Sequence, residues 1–416
     1  MIRYSIESVS DYLKLIKDKN LKNFIYRGQN ESYYGIKASG FRPYQGDWEN
    51  DKFYDINKMQ EELYNKVIRN ITQEEKDHFL AFCQHHGLPT NLIDFTFSPL
   101  ISLFFACYGK GSPTFTLEEL IYKSSFKDLK KIEEEATKNM LIHNLINKIS
   151  KSYKPYAEIY LINKNRLIDI TDIVVNVDKV NFFEKLYDDI ETQKYLVKKF
   201  EIFFEKNIDL SRKIIANIFD CYEKNFSRNL LLEEDFYFKK LHKYKEKLLN
   251  DEDNNIETRL YYDIYRFLSD DTPHKFIIDY EDFNNIDGNK ISILSRIYLF
   301  LVLEILGIAI KYKERVDLEL DMYFTYQPPE LFDRISSQKG IFIYQPYLYY
   351  KEDVYGYGNL SIQTINPDII IEIQDYKDIL EELNYLSINL ESVYCDFDNV
   401  AKGVKYNHDM ILNKKN

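Results

Sequence analysis

Positive charge is scarce in this chain. Its 55 Lys and Arg stand against 67 Asp and Glu, a formal net charge of −12 over 416 residues. Nonspecific nucleic-acid affinity comes mainly from cations neutralising phosphates, so a general nucleic-acid-coating surface is not expected, although a local basic pocket stays open. Cysteine is scarce too. Cys83, Cys107, Cys221 and Cys395 lie far apart with no C-x-x-C pair, which excludes a disulfide framework and a structural zinc site of the usual spacing. No metal is expected. There is no P-loop and no G-x-G-x-x-G, which counts against an NTPase or a Rossmann dehydrogenase. Repeats and low-complexity stretches are also missing.

Long apolar runs are few. Ile297 to Ile310 is interrupted by Glu304 and falls short of the roughly 20 residues that span a bilayer, so it reads as a buried helix. The opening MIRYSIESVSDYLKL lacks the apolar centre of a signal peptide. A cytoplasmic protein with no membrane partner is the expectation. With 45% hydrophobic and 29% charged residues the chain should fold throughout. At about 150 residues per domain, its length suggests two or three units.

The local pattern is mixed. A first helix is expected with Ser10 as N-cap and Tyr12, Leu13 and Ile16 on one face, and Phe24-Ile25-Tyr26 reads as a strand leading into Arg27-Gly28-Gln29. Tyr33 to Pro43 reads as loop with a second arginine, Arg42. Thr72 and Glu75 form a capping box for a helix closing at Gly87. Thr90 to Phe97 is extended, and Ser98-Pro99 supplies an N-cap and a first-turn proline for a helix to Tyr108. Residues 113–152 read as a solvated helical insertion, and 170–318 as long helices. Strands return at Met322–Tyr326, Gly340–Pro346, Asp368–Gln374 and Ile388–Tyr394, with helices at Leu331–Ile335 and Lys377–Leu386 and another after Phe397; Lys414 to Asn416 should fray.

The stretch from Gln84 to Gly109 gathers the residues with chemical potential. His85 and His86 sit about 100° apart on a helix and cannot share one role. His86 falls on the apolar face with Phe79, Phe82 and Cys83, which leaves His85 as the candidate base or hydrogen-bond donor. Asp94 is a charge inside an apolar strand; it reads equally as a structural hydrogen-bonding group or as a catalytic one. Arg27 offers a bidentate fork to an anion or a surface ion pair, with Gly28 letting a backbone approach closely. Arg334 and Gln338 lie one helical turn apart and can face one pocket.

These residues together resemble the FRG domain family. The resemblance rests on Phe24 to Gln29 with Arg42, on Gln84 to Ala106, on the R-x-x-x-Q-x-G-x-F block from Arg334 to Phe342, and on the ending from Lys377 to Val404. Two positions depart from the family's pattern: Asn91 stands where an arginine is usual, and Phe95 where a tryptophan is. A weaker likeness joins the Y-R-G and T-x-S strands to ADP-ribosyltransferases. It implies an α+β fold with an ADP-ribosyltransferase-like mixed-sheet core, interrupted by a large helical insertion. The core would comprise residues 1–169 and 319–416, with 170–318 inserted. Arg27, Gly28, Gln29, Arg42, Thr90, Thr96, Ser98 and Arg334 would bind ligand, and His85, Asp94 and Gln338 would be catalytic.

The resemblance implies a bacterial nucleotide-binding effector, with NAD as candidate substrate and ADP-ribosyl transfer or NAD cleavage as the reaction, in toxin action or anti-phage defence. The alternative is a non-enzymatic sensor using the same pocket, with the helical part binding a partner. An oxocarbenium-like transition state calls for a carboxylate. The third block offers Gln338 instead, and Glu372 is an unmatched alternative. Partners would be a small nucleotide or a protein target; the oligomeric state is open.

Overall fold

The computed structural model describes residues 2–30, 35–42, 53–109, 157–176, 181–226, 235–250, 255–267, 277, 289–313, 315–351, 358–374, 376–395, 399–405 and 408. The expected insertion at 113–152, the fraying terminus and parts of the Tyr33–Pro43 loop lie outside these residues. The fold is mixed α+β.

Its strands are β1 (Ile2–Ile6), β2 (Phe24–Gln29), β3 (Leu92–Thr96), β4 (Ala157–Asn163), β5 (Leu167–Asp169), β6 (Asp317–Leu318), β7 (Tyr323–Tyr326), β8 (Gly340–Tyr344), β9 (Tyr347–Lys351), β10 (Gly358–Gln363) and β11 (Ile369–Ile373). Eight of them form one sheet in the order β1-β11-β4-β2-β3-β8-β7-β5. It is parallel at its two ends, β1 on β11 and β5 on β7, and antiparallel between them. β6, β10 and β9 form a smaller sheet.

The helices that matter below are α1 (Val9–Asp18), α2 (Gln73–Asp77), α3 (Phe79–His85), α4 (Pro99–Cys107), α5 (Ile190–Lys206), α6 (Ile208–Phe226), α7 (Lys290–Tyr312), α8 (Asp333–Ser337), α9 (Tyr376–Tyr385) and α10 (Leu390–Tyr394). Side chains alternate across a strand, so the main sheet has two faces with different covers. Tyr26, Ile159, Leu161 and Ile371 pack with Tyr12 of α1, Leu103 and Ala106 of α4 and Leu383 of α9. Ile25, Tyr160, Ile93 and Ile343 pack on the opposite face against Tyr347 and Leu360 of the small sheet. A third core joins Leu92, Phe324 and Phe342 to the long helices through Phe200, Phe204, Ile215, Tyr298 and Leu301.

Those covers explain the site's position. Tyr26 stands opposite Thr96, and Leu92 lies on the same face as Thr96. Tyr26 nevertheless enters the core under α4, whereas Leu92 enters the helical core. One face of the sheet therefore changes its cover between β2 and β3.

Several local expectations change. Ser8 caps α1, accepting from the Asp11 amide, and Leu13 is exposed. The helix expected from Thr72 to Gly87 breaks at His78, whose imidazole Nδ1 lies 2.9 Å from the Tyr326 hydroxyl. That hydrogen bond holds His78 out of helical geometry, and burial lowers its pKa. The helix at Leu331–Ile335 sits slightly later, as α8. Ile388–Tyr394 is not a strand: Asn389 and Ser392 form a capping box, and Leu390 and Val393 are buried one turn apart on α10. Residues 399–405 are helical. α7 has 23 residues, more than the sequence suggested and apolar enough to cross a membrane by length and composition, but 72% of its apolar window is buried inside the fold.

Candidate functional site

The cleft begins with an incomplete seam. β2 pairs with β4 through all six of its residues, but with β3 only at Tyr26 and Thr96. Beyond that bridge the strands part, and Arg27 fills the opening. Its Nη1 donates to the Asp94 carbonyl at 2.8 Å, substituting for a missing ladder bond. Its Nε is shielded from solvent and has no hydrogen-bond partner among the described residues. Loss of water lowers the Arg27 pKa, and Asp94 nearby opposes that shift. An arginine remains charged through such shifts. The result is a partly buried cation whose shielded Nε is still to be satisfied.

The cleft has a volume of about 570 Å³, inside the usual range for small-molecule sites of about 300–1,000 Å³. Among the described residues its charged lining is Arg27, Arg42 and Arg334 against the single carboxylate of Asp94, and its aromatic lining includes Tyr26, Phe95, Phe105, Tyr108 and Tyr394. Arg334 lies over the Tyr394 ring, 4.7 Å from its centroid. In a chain of net charge −12 this is a concentrated positive site, suited to an anion carrying an aromatic group.

Gly28 lines the cleft but has a second constraint. A Cβ there would lie 1.8 Å from the Ser102 carbonyl oxygen and 2.6 Å from the Ala106 nitrogen. The glycine is what lets α4 lie directly on β2. Gln29 follows it and is also part of the lining.

Asp94 is held from both sides. Its backbone carbonyl accepts from Arg27, and its Oδ2 accepts from Gln84 Nε2 at 3.0 Å. Gln84 is in turn fixed by the Thr90 hydroxyl, which donates to Gln84 Oε1 at 2.5 Å and accepts from the Leu92 amide. Thr90 is fully buried. It supports the wall without forming its surface.

Thr96 donates to the Gln338 backbone carbonyl at 2.7 Å and accepts from the Ser98 amide. These bonds bring Arg334 and Gln338, at the two ends of α8, to the cleft's other side. The Gln338 amide donates to the Val393 carbonyl on α10. Ser98 is the N-cap of α4, accepting from the Ile101 amide, and does not line the cleft.

A side compartment of about 120 Å³ adjoins the cleft. Asp94, Phe95, Arg334 and Gln338 belong to both, while Gln84 and His85 face the compartment alone. α3 ends with the amides of Gly87 and Leu88 bonding back to the Gln84 and Cys83 carbonyls, a Schellman closure that needs Gly87 at its φ of +80°. That closure sets the histidines apart. His85 stacks on Phe332 with centroids 3.9 Å apart and planes within 6°. His86, expected in the core, is exposed at the helix end with its ring against Phe82.

Residues 22–114 match the FRG domain family model. The chain carries an FRG domain. The match spans Arg27, Arg42, His85, Asp94 and Thr96, and ends before Arg334, Gln338 and Tyr394, so the FRG domain supplies two walls of the cleft and the C-terminal region the third. No curated protein and no solved structure matches the chain.

The two departures from the family's pattern now have places. Asn91 is buried, hydrogen-bonded to the Gln345 carbonyl, and faces a separate hollow of about 50 Å³, so position 91 does not reach this cleft. Phe95 keeps an aromatic ring in the wall. Glu372 lies elsewhere, on β11, paired with Arg3 of β1. Sequence reasoning missed Asn30, Tyr108, Tyr394 and Gln84. Gln84 carried a signal, an amide one turn from the Asp94 strand; Tyr394 carried none.

Among the described residues no group of three or more His, Cys, Asp or Glu is placed to hold a metal ion.

Proposed function

We propose that the cleft binds a nucleotide, with NAD the leading candidate, and that the chain is an ADP-ribosyltransferase-like or NAD-cleaving effector acting in the cytoplasm. The observation that carries this reading is the partly buried Arg27, its Nε without a hydrogen-bond partner, in a lining of three arginines and one carboxylate among the described residues. A pyrophosphate supplies the acceptors those donors need. The aromatic rings suit an adenine or a nicotinamide. Arg27, Arg42 and Arg334 would hold phosphates, Gly28 and Gln29 would border them, and Thr96 would stand beside the reacting sugar.

Breaking a nicotinamide–ribose bond develops positive charge on the ribose, and a carboxylate stabilises it. Among the described residues Asp94 is the one carboxylate in the lining, and we assign it that role. Gln338 would orient the sugar through its amide. The ADP-ribosyltransferase-like character of the core and the helical part as an insertion belong to the same proposal. Toxin action or anti-phage defence would use NAD depletion or target modification as output.

The neutral amide of Gln338, where the enzyme reading prefers a second acid, favours one other reading: a sensor that binds the nucleotide without turning it over, with the helical part contacting a protein partner. Incubating the purified protein with NAD separates them. Nicotinamide release that disappears in Asp94→Asn supports the enzyme. NAD-dependent thermal stabilisation without release supports the sensor. Neither response in the intact protein would sink both.

A further inference from the structure

The cleft and the side compartment meet at Asp94, and their chemistry differs. The cleft's own lining adds Arg27 and Arg42, whereas the compartment's own walls are Ala81, Gln84, His85, Ile335, Gly340 and Phe342. An anion is drawn to the first. The second shares the Asp94 carboxylate and the Arg334 guanidinium with the cleft and adds no further lysine, arginine or carboxylate among the described residues, so a small uncharged group fits beside that pair, and at about 120 Å³ it is well below the about 300 Å³ of a usual ligand site.

We propose that this compartment is an acceptor pocket for a small uncharged hydroxyl group, with His85 as the base that takes its proton. The proposal rests on the NAD reading of the main cleft and deepens it: the reaction would be transfer to an alcohol in preference to hydrolysis. His85 suits the role because the stack on Phe332 fixes its ring plane at the compartment wall, and imidazole is the side chain poised near neutral pH. Asp94 suits the junction because Gln84 occupies Oδ2, while Oδ1 has no hydrogen bond among the described residues. One carboxylate thereby faces the donor sugar in the cleft and the acceptor in the compartment.

The step balances without another reactant. The bond between the anomeric carbon and the nicotinamide nitrogen breaks, and its electron pair leaves with the nitrogen to give neutral nicotinamide. The acceptor oxygen bonds to that carbon. Its proton passes to His85 and on to solvent.

The test uses the full chain, NAD and methanol, ethanol or propan-1-ol, with products resolved by mass spectrometry. The expected result is alkyl ADP-ribose exceeding the alcohol's mole fraction relative to water by about tenfold or more, a discrimination that a pocket of this kind supplies. His85→Gln and Ile335→Phe should each lower the ratio of adduct to ADP-ribose about tenfold; the first removes the base and the second fills the space. Ile335 is half-buried, so the larger ring can be accommodated. If NAD is consumed but the product ratio follows the mole fraction, or stays fixed in both variants, the acceptor pocket is overturned while the NAD reading stands. If NAD is not consumed at all, the NAD-cleaving reading fails and takes this pocket with it.

Discussion

The two sides of β2 are built differently. Toward β4 it is closed by six registered pairs, and Tyr160, opposite Arg27, donates to the buried carboxylate of Glu158 at 2.6 Å. Glu158 also accepts from Arg3. Toward β3 one bridge remains, and Arg27 carries the contact through a single side-chain bond to a carbonyl. On the closed side Tyr160 and Arg3 are both hydrogen-bonded to Glu158; on the open side the Arg27 Nε has no hydrogen-bond partner among the described residues. The same strand thus contributes stability along one edge and a binding surface along the other.

The sharpest way to break that arrangement is Gly28→Ala. The new Cβ meets α4 backbone that has nowhere to move, so helix and strand must separate and both seams suffer. A loss of about 3 kcal/mol is expected, read as a large fall in melting temperature and loss of any NAD-induced shift. An unchanged melt would show that α4 does not rest on β2 as described.

Next comes the closed seam. Tyr160→Phe removes the hydroxyl that serves Glu158, and a hydrogen bond to a charged group contributes about 1.5–3 kcal/mol. The Tyr160 pKa is raised, first by burial and then by Glu158, so the hydroxyl is a donor throughout the neutral range. The variant should melt earlier yet keep NAD affinity within about threefold, because Tyr160 does not line the cleft. An affinity loss matching that of an arginine variant would mean the seams are not separable.

How much of this was legible depends on how local the cause was. Ser98-Pro99, Thr72 with Glu75, and Gly87 act within a turn of themselves, and each reads correctly as a helix start or stop. The break at His78 depends on Tyr326, 248 residues away, and nothing nearby announces it. Ile388 to Tyr394 misleads because I-N-L-E-S-V-Y alternates like a strand, while the Asn389 and Ser392 cap and the burial of Leu390 and Val393 require a helix. His86 fits an apolar face by helical arithmetic, but the helix ends one residue earlier and turns it outward. β1 went unread because its partner β11 lies at the other end of the chain and its burial pattern is mostly exposed. For the cleft, Arg27, Asp94 and Gln338 were visible as motif residues, but the parting of β2 from β3 follows from which cores claim Tyr26 and Leu92.

Arg27→Ala is the smallest expected effect on stability and the most discriminating. On the closed-seam logic, losing a strand-to-strand contact should destabilise the sheet. On the open-seam logic little is lost: one hydrogen bond to the Asp94 carbonyl contributes about 1 kcal/mol, and removing a cation that burial already disfavours offsets part of it. The melting temperature should therefore fall by no more than about 3 °C. Binding should behave in the opposite way, since truncating a partly buried cation that faces a phosphate costs on the order of 100-fold in affinity. Calorimetric titration with NAD beside a thermal melt reads both. A variant that melts much earlier while still binding NAD would make Arg27 a strut of the sheet and move the anion to Arg42 and Arg334; a small melt change with lost binding would place the function of this strand on its open side.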